Sequence, residues 1–222
     1  MLAGRRPLIL APHADDESLG CGGLIAGACA IGLAPIVVIL TDGTKSHPDS
    51  LAFPPPRLRL LREAEALKAV KLLGLSEKNL FFLRYEDTRL PAAGDGFLAA
   101  IAWILAIARE RHCGLVIGPW AGDPHCDHEA GACIAGAVAA RAGVNLLSYP
   151  VWGWLRNGAD RLAETRNSGW RLEISDYLER KQAAIAAHES QYGDLITDSP
   201  RGFRLPKNLL AIFARPYEVF IA

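Results

Sequence analysis

LILAPHADDESLGCGG, Leu8 to Gly23, places an apolar run, a polar turn and a glycine-rich apolar start in immediate succession. Four apolar residues lead to His13, three acids follow at Asp15, Asp16 and Glu17, and Gly20, Gly22 and Gly23 open the next apolar stretch. A short apolar run that stops at polar and glycine residues reads as a buried strand feeding a helix. Three adjacent carboxylates there repel one another unless a cation sits among them or a helix N-terminus faces them.

The same alternation recurs outward from this stretch. The pattern predicts strands at Leu8–Ala11, Ile36–Thr41, Leu80–Arg84, Leu115–Gly118 and Leu146–Val151, and helices at Gly22–Ile31, Arg57–Leu73, Phe97–Arg111 and Glu129–Ala142. Gly74 and Gly143 stand where a left-handed helix C-cap wants glycine. The strands are continuous apolar runs, as expected where helices cover both faces, so the class is α/β with a Rossmann-like, mostly parallel, doubly wound sheet. After Pro150, aromatics and arginines in VWGWLRNGADRLAETRNSGWRLEI predict an irregular or antiparallel C-terminal extension, with a helix at Asp176–Glu189 and a last strand at Tyr217–Ile221. One domain over residues 1–222 is expected, with 1–150 as the core and 151–222 packing on it. The proline-rich segment His47–Leu58 reads as a long loop bordering a site.

Lys plus Arg and Asp plus Glu both number 24, so the formal net charge is zero. That balance excludes a non-specific nucleic-acid binder and a polybasic membrane anchor. Five cysteines, odd in number and without a C-x-x-C pair, fit a reducing, cytoplasmic compartment rather than a disulfide framework. The N-terminal apolar stretch is too short for a signal-peptide core. Gly20 to Leu40 carries no charge, but its glycines and Pro35 break it into a helix, a turn and a strand rather than a membrane span.

In an open parallel sheet, ligands bind outside the carboxyl ends of the strands. His13 to Glu17 follow the first strand, and Pro119 to Gly131 (PWAGDPHCDHEAG) follow the fourth, so two polar clusters reach one sheet edge. His13-x-x-Asp16 and His125-x-x-His128 together offer the two-histidine, one-carboxylate set of a hydrolytic metal centre with an open position for water. Helix capping by Asp15, Asp16 and Ser18 explains the first cluster alone, but not both. A dinucleotide fingerprint fails because Ile25 stands where its third glycine belongs. Ser18 lacks the setting of a nucleophilic serine, and Cys126 reads as filler.

PHADDE with its glycine-rich sequel, the helix Arg62-Glu63-Ala64-Glu65 through Leu73-Gly74, DPHCDH at Asp123–His128 and KQAAIAAHESQ at Lys181–Gln191 occur in one order along the chain. Together they resemble the PIG-L/LmbE family of zinc-dependent N-deacetylases, with Ala14 and Cys126 in place of two prolines of the family motifs. The resemblance implies metal ligands at His13, Asp16 and His128, with zinc as the cation, although mixed N/O ligands accept other divalent metals. It implies Asp15 as the base that activates water, His125 as oxyanion stabiliser or proton donor with Asp127 orienting it, and Arg62 and Asp87 as contacts to sugar hydroxyls. It further implies deacetylation of an N-acetylglucosamine-type sugar or conjugate, against the alternative of a non-catalytic carbohydrate-binding protein on the same fold. The expected partner is a small amino-sugar substrate, with no nucleic acid and no transmembrane segment; homo-oligomerisation is left open.

Nine further residues carry weaker expectations. Asp123 serves equally as a partner to a ligand histidine or as a turn residue. His188 is expected to pack the C-terminal helix against the sheet, and Glu17 has no assigned role beyond a hydrogen bond behind the site. His47 and His112 read as surface or loop residues. Trp120, Trp152, Trp154 and Trp170 are candidates for a stacking face.

Overall fold

A computed structural model describes residues 2–155 and 168–222. Its strands are β1 Arg6–Ala11, β2 Ile36–Thr41, β3 Leu80–Tyr85, β4 Cys113–Pro119, β5 Asn145–Tyr149, β6 Gly169–Glu173 and β7 Tyr217–Ile221. They form a sheet of order β3-β2-β1-β4-β5-β7-β6, parallel from β3 to β5 and antiparallel at β7 and β6. The order reverses between the central neighbours β1 and β4, which makes the crevice beyond their carboxyl ends the switch point. The expected α/β class with an antiparallel C-terminal extension is what the chain adopts; residues 156–167, in the middle of the extension, lie outside the described residues.

The continuous apolar strands fill both faces. Leu8, Leu10, Ile36, Val38 and Leu40 join a buried cluster with α3 (Gly94–Glu110) and α4 (Cys126–Ala142). Ile9, Ala11, Val37 and Ile39, on the opposite face, pack with α1 (Asp16–Ala30), α2 (Pro55–Leu72) and α5 (Leu178–Ala186). The one-turn helix α6 (Glu189–Tyr192) and α7 (Lys207–Phe213) complete the C-terminal part.

The largest departures from the sequence reading fall where function concentrates. Apolar periodicity places the starts of α1 and α4 at Gly22 and Glu129, but α1 begins at Asp16 and α4 at Cys126. Their first turns consist of the polar motif residues, which a hydrophobic pattern cannot register. The expected helix Asp176–Glu189 is a 3-10 turn, Ser175–Tyr177, followed by α5, with Glu189 opening α6, and α7 is a further helix that the sequence pattern does not predict. The proline-rich loop is shorter than expected because Pro55 takes the first turn of α2, where its missing N–H has no partner to lose.

Gly20 has no room for a side chain: a Cβ would lie 2.2 Å from Tyr149 Cδ2. Gly20 therefore brings α1 against the sheet, and Gly22 and Gly23 admit Lys181 and Ile174 of the C-terminal part. No helix among the described residues is long and apolar enough to cross a membrane, and the five cysteines are free.

Candidate active site

The two polar clusters meet at the switch point. Asp16, in the first turn of α1, turns its carboxylate back to accept from the His13 backbone N–H at 2.9 Å. The same oxygen, Oδ2, lies 3.2 Å from His13 Nδ1 and 3.3 Å from His128 Nε2. His125, at the N-cap of α4, completes a group in which His13, His125 and His128 each bring a ring nitrogen within 4.8 Å of the others.

The far nitrogens of two of these rings are held by carboxylates. His13 Nε2 sits 3.2 Å from Asp127 Oδ2 and 3.4 Å from Asp87 Oδ1. His128 Nδ1 sits 3.0 Å from Asp123 Oδ2. A carboxylate accepts only, so these contacts hold a ring proton on each far nitrogen and turn the near ones, His13 Nδ1 and His128 Nε2, to a common point. Both near nitrogens face the carboxylate of Asp16, which favours a proton on each of them until a cation takes its place. His128 Nε2 is fully buried and has no hydrogen-bond partner among the described residues. A buried polar atom without a well-aligned partner calls for one, and a bound cation or water would supply it.

Asp123 is fully buried and also accepts from the N–H groups of Val151 and Gly153 at 2.8 and 2.7 Å. It ties His128 to the chain beyond β5, while its own backbone sits in the turn, donating to the Trp120 carbonyl at 3.0 Å and accepting from His125 N–H at 2.9 Å. Asp127 requires a correction. Its carboxylate does not orient His125; it turns to His13 and accepts from Thr88 N–H and Leu90 N–H at 2.7 and 3.0 Å. Only its backbone N–H reaches His125, donating to Nδ1 at 3.2 Å. Asp127 therefore fastens the loop after β3 to the first motif.

Asp15 departs from ordinary backbone geometry, with φ 146°, and its Oδ2 lies 3.6 Å from Arg62 Nη2. Arg62 is buried on α2 and donates to the Gly43 and Ala14 carbonyls at 2.9 and 2.8 Å. Glu17 points away from the cleft and meets the ring of His188. Asp87 is buried, and its other oxygen accepts from Lys45 N–H at 2.9 Å. His47 belongs to a loop as expected but is buried rather than exposed, lying against Gly202.

Burial and the neighbouring charges set the protonation states. Burial disfavours a charged His128, but Asp16 and Asp123 outweigh it and push the ring up to about 9. His13 is raised well above its ordinary value in the same way: burial opposes, and Asp127, Asp16 and Asp87 prevail. Asp16 is held well below the usual carboxylate range because the two histidines outweigh its burial. For Asp15 burial dominates over the pull of Arg62 and pushes the carboxyl up to about 6. His125 is lowered by burial and by the nearby rings of His13 and His128.

These groups open onto a cleft of about 340 Å³ that His13, Asp15, Asp16, Arg62, Asp87 and His125 line. His128, Asp123 and Asp127 stand behind them. Lys45, Ser46, Thr88, Gln191 and Phe203 also border the cleft without having been singled out individually; only Gln191 carried a signal, as the end of the HESQ motif. Of the four tryptophans, Trp152 lines the cleft, edge-on to Phe203 with ring centroids 5.7 Å apart. Trp120 covers Gly122 and Gly153, Trp154 donates to the Pro150 carbonyl, and Trp170 is exposed on β6.

Known proteins share this architecture. The chain is 27% identical over 204 residues to diacetylchitobiose deacetylase of Thermococcus kodakarensis, covering 85% of this chain and 70% of that protein. It is 28% identical over 205 residues to the probable N-acetyl-alpha-D-glucosaminyl L-malate deacetylase 2 of Bacillus anthracis, covering 90% and 87%. The solved structure of N,N'-diacetylchitobiose deacetylase from Pyrococcus horikoshii superposes with a TM-score of 0.74 over all of this chain and 85% of that one, at 24% identity, a likeness of fold. With the family model matching residues 8–139, the chain belongs to the PIG-L family, described as GlcNAc-PI de-N-acetylase.

Proposed function

We propose that the protein removes the N-acetyl group from an N-acetylglucosamine-type sugar or glycoconjugate in the cytoplasm, using a divalent cation, zinc, held by His13, Asp16 and His128. One observation carries the reading: His13 and His128 each have the far nitrogen on a buried carboxylate and the near nitrogen toward Asp16, the arrangement that orients metal-binding imidazoles. A non-catalytic carbohydrate binder on this fold has no need of two histidines so fixed.

When bound, the cation polarises the amide carbonyl and lowers the pKa of water beside it. Asp15, at about 6, is ionised at neutral pH yet close enough to it to act as base, and takes the proton of the attacking water. The new bond joins water oxygen to the carbonyl carbon, and the bond that breaks is carbon to nitrogen. His125 accepts at Nδ1 from Asp127 N–H, so its proton is on Nε2, available to the developing oxyanion. The proton on Asp15 then passes to the leaving amine, giving acetate and the free amino sugar. Arg62 and Asp87, both lining the cleft, are assigned to the sugar hydroxyls.

The test is metal content and acetate release from N-acetylglucosamine conjugates, measured before chelation, after it and after zinc is restored. Activity lost on chelation and regained with zinc is expected; purified protein that holds no metal and releases no amine removes the enzyme reading.

Zinc binding is also expected to strengthen steeply with pH. Both ligand rings bind protons tightly in the metal-free protein, so each must lose one to ligate. From pH 6 to pH 8 the apparent Kd is expected to fall at least about a hundredfold, read by competition with a chromophoric chelator. The sign of the stability effect follows: the raised rings stabilise the metal-free fold fully below their ordinary value near 6.5, and this is lost as pH rises through about 9 for His128. A Kd independent of pH contradicts ligation by these two rings.

A further inference from the structure

We infer that Glu17 and His188 are a positioning pair that fixes the backbone of Asp15 and so aims its carboxylate into the cleft. The inference rests on Asp15 being the base. Asp15 has φ 146° and ψ −29°, a conformation that a residue with a side chain adopts only where its surroundings impose it. The angle φ relates two peptide planes, and both are pinned here. In the Ala14–Asp15 peptide the carbonyl accepts from Arg62 Nη2 at 2.8 Å, and the N–H donates to Glu17 Oε2 at 2.9 Å. In the following peptide the Asp15 carbonyl accepts from Ser18 N–H and Leu19 N–H at 3.0 and 2.9 Å, as part of α1. Removing the Glu17 contact frees the N–H end of the first plane and lets φ relax.

Glu17 can hold that N–H only while its carboxylate is itself aimed. Its other oxygen, Oε1, accepts from Ser18 Oγ at 2.6 Å and lies 2.9 Å from His188 Nε2. Glu17 and His188 are fully buried. His188 is set by its place ahead of α6: its carbonyl accepts from Gln191 N–H and Tyr192 N–H at 2.9 and 2.8 Å. The neighbouring Ser190 is anchored on Glu65 through N–H at 2.7 Å and Oγ at 2.6 Å. His188 lies outside residues 8–139, so the C-terminal part reaches the catalytic turn through this ring.

The test is steady-state kinetics with zinc quantified in each protein, for Glu17→Ala, Glu17→Gln and His188→Gln beside the wild type. Glu17→Ala is expected to lower kcat about a hundredfold, the scale of a small displacement of a reacting group. KM stays within about twofold and zinc content is unchanged, since substrate and metal contacts are intact. Glu17→Gln restores most of kcat, because its amide oxygen still accepts from Asp15 N–H while the amide donates to a neutral His188. His188→Gln likewise stays within about tenfold of wild type, as its amide N–H replaces the ring donor. Glu17→Ala with kcat within about threefold of wild type, or with KM raised in place of kcat, overturns the inference. A crystal structure of zinc-loaded Glu17→Ala, or of His188→Ala if that variant alone folds, reads the same point without turnover. Asp15 is expected at negative φ with its carboxylate displaced, and an unchanged Asp15 overturns the pairing. A wild type that releases no acetate overturns the deacetylase reading instead, and the structural readout still decides the positioning.

Discussion

Asp15→Asn is expected to lower kcat for acetate release by roughly a thousandfold while the protein keeps its zinc and its fold. Asn matches Asp in shape and accepts a hydrogen bond, but it cannot take a proton from water. None of the contacts that set the proposed ligands passes through Asp15: His13 is held by Asp16, Asp127 and Asp87, and His128 by Asp123. The positive φ adds no new obstacle, because Asn places the same Cβ on the same backbone as Asp. Stability is expected to rise slightly at neutral pH. A carboxyl whose folded pKa is raised to about 6 by burial is destabilising above that value, where it must stay ionised, and Asn removes the charge. The opposite pattern is expected of His128→Ala, which loses metal first and activity with it. Metal content by emission spectroscopy beside kcat separates the two. Full turnover in Asp15→Asn, with zinc bound, removes Asp15 from the role of base.

What the sequence made legible follows physical periodicity and short-range spacing. Ile36 to Thr41 reads as a buried strand because residues on both sides of the chain are apolar, and both faces are in fact covered. His13 and Asp16 are three apart and meet; so the first motif was readable as a unit. Long-range choices were not. Whether Asp127 turns to His125 or to His13 is decided by the N–H groups of Thr88 and Leu90, which arrive from a separate loop. The hydrogen bond expected of Glu17 could not be given a partner, because that partner, His188, is 171 positions away. The starts of α1 and α4 were displaced for a related reason: carboxylates and imidazoles occupy first turns that a hydrophobic pattern treats as loop. The composition of the motifs was readable, but the direction of each side chain was not.

Lys181→Met is expected to destabilise the fold by about 3–5 kcal/mol, the scale for leaving one partner of a buried ion pair alone. For a chain of this length that lowers Tm by roughly 10 °C, readable by calorimetry or circular dichroism. Lys181 Nζ on α5 meets Glu218 Oε1 on β7 at 2.7 Å, with both side chains almost wholly buried. Glu218 also accepts from Gly23 N–H and Leu24 N–H of α1 at 2.7 and 2.9 Å. One carboxylate thus joins α5, β7 and α1, and without Lys181 its charge is buried against two amides only. The glycines of GCGG make the junction sterically feasible. A Cβ on Gly22 would lie 2.9 Å from Lys181 Cγ, and one on Gly23 would lie 2.5 Å from Ile174 Cγ2. The double variant Lys181→Met with Glu218→Gln is expected to recover part of the loss, since no unpaired charge stays buried and the amide oxygen still accepts from α1. A single variant as stable as wild type shows the pair to be energetically idle. A loss not relieved in the double variant assigns the effect to the packing of the Lys181 stem against Gly22 rather than to charge. Either mechanism acts on the helix whose first turn carries Asp16 and Glu17, so the packing of the C-terminal part and the geometry of the cleft are set through the same element.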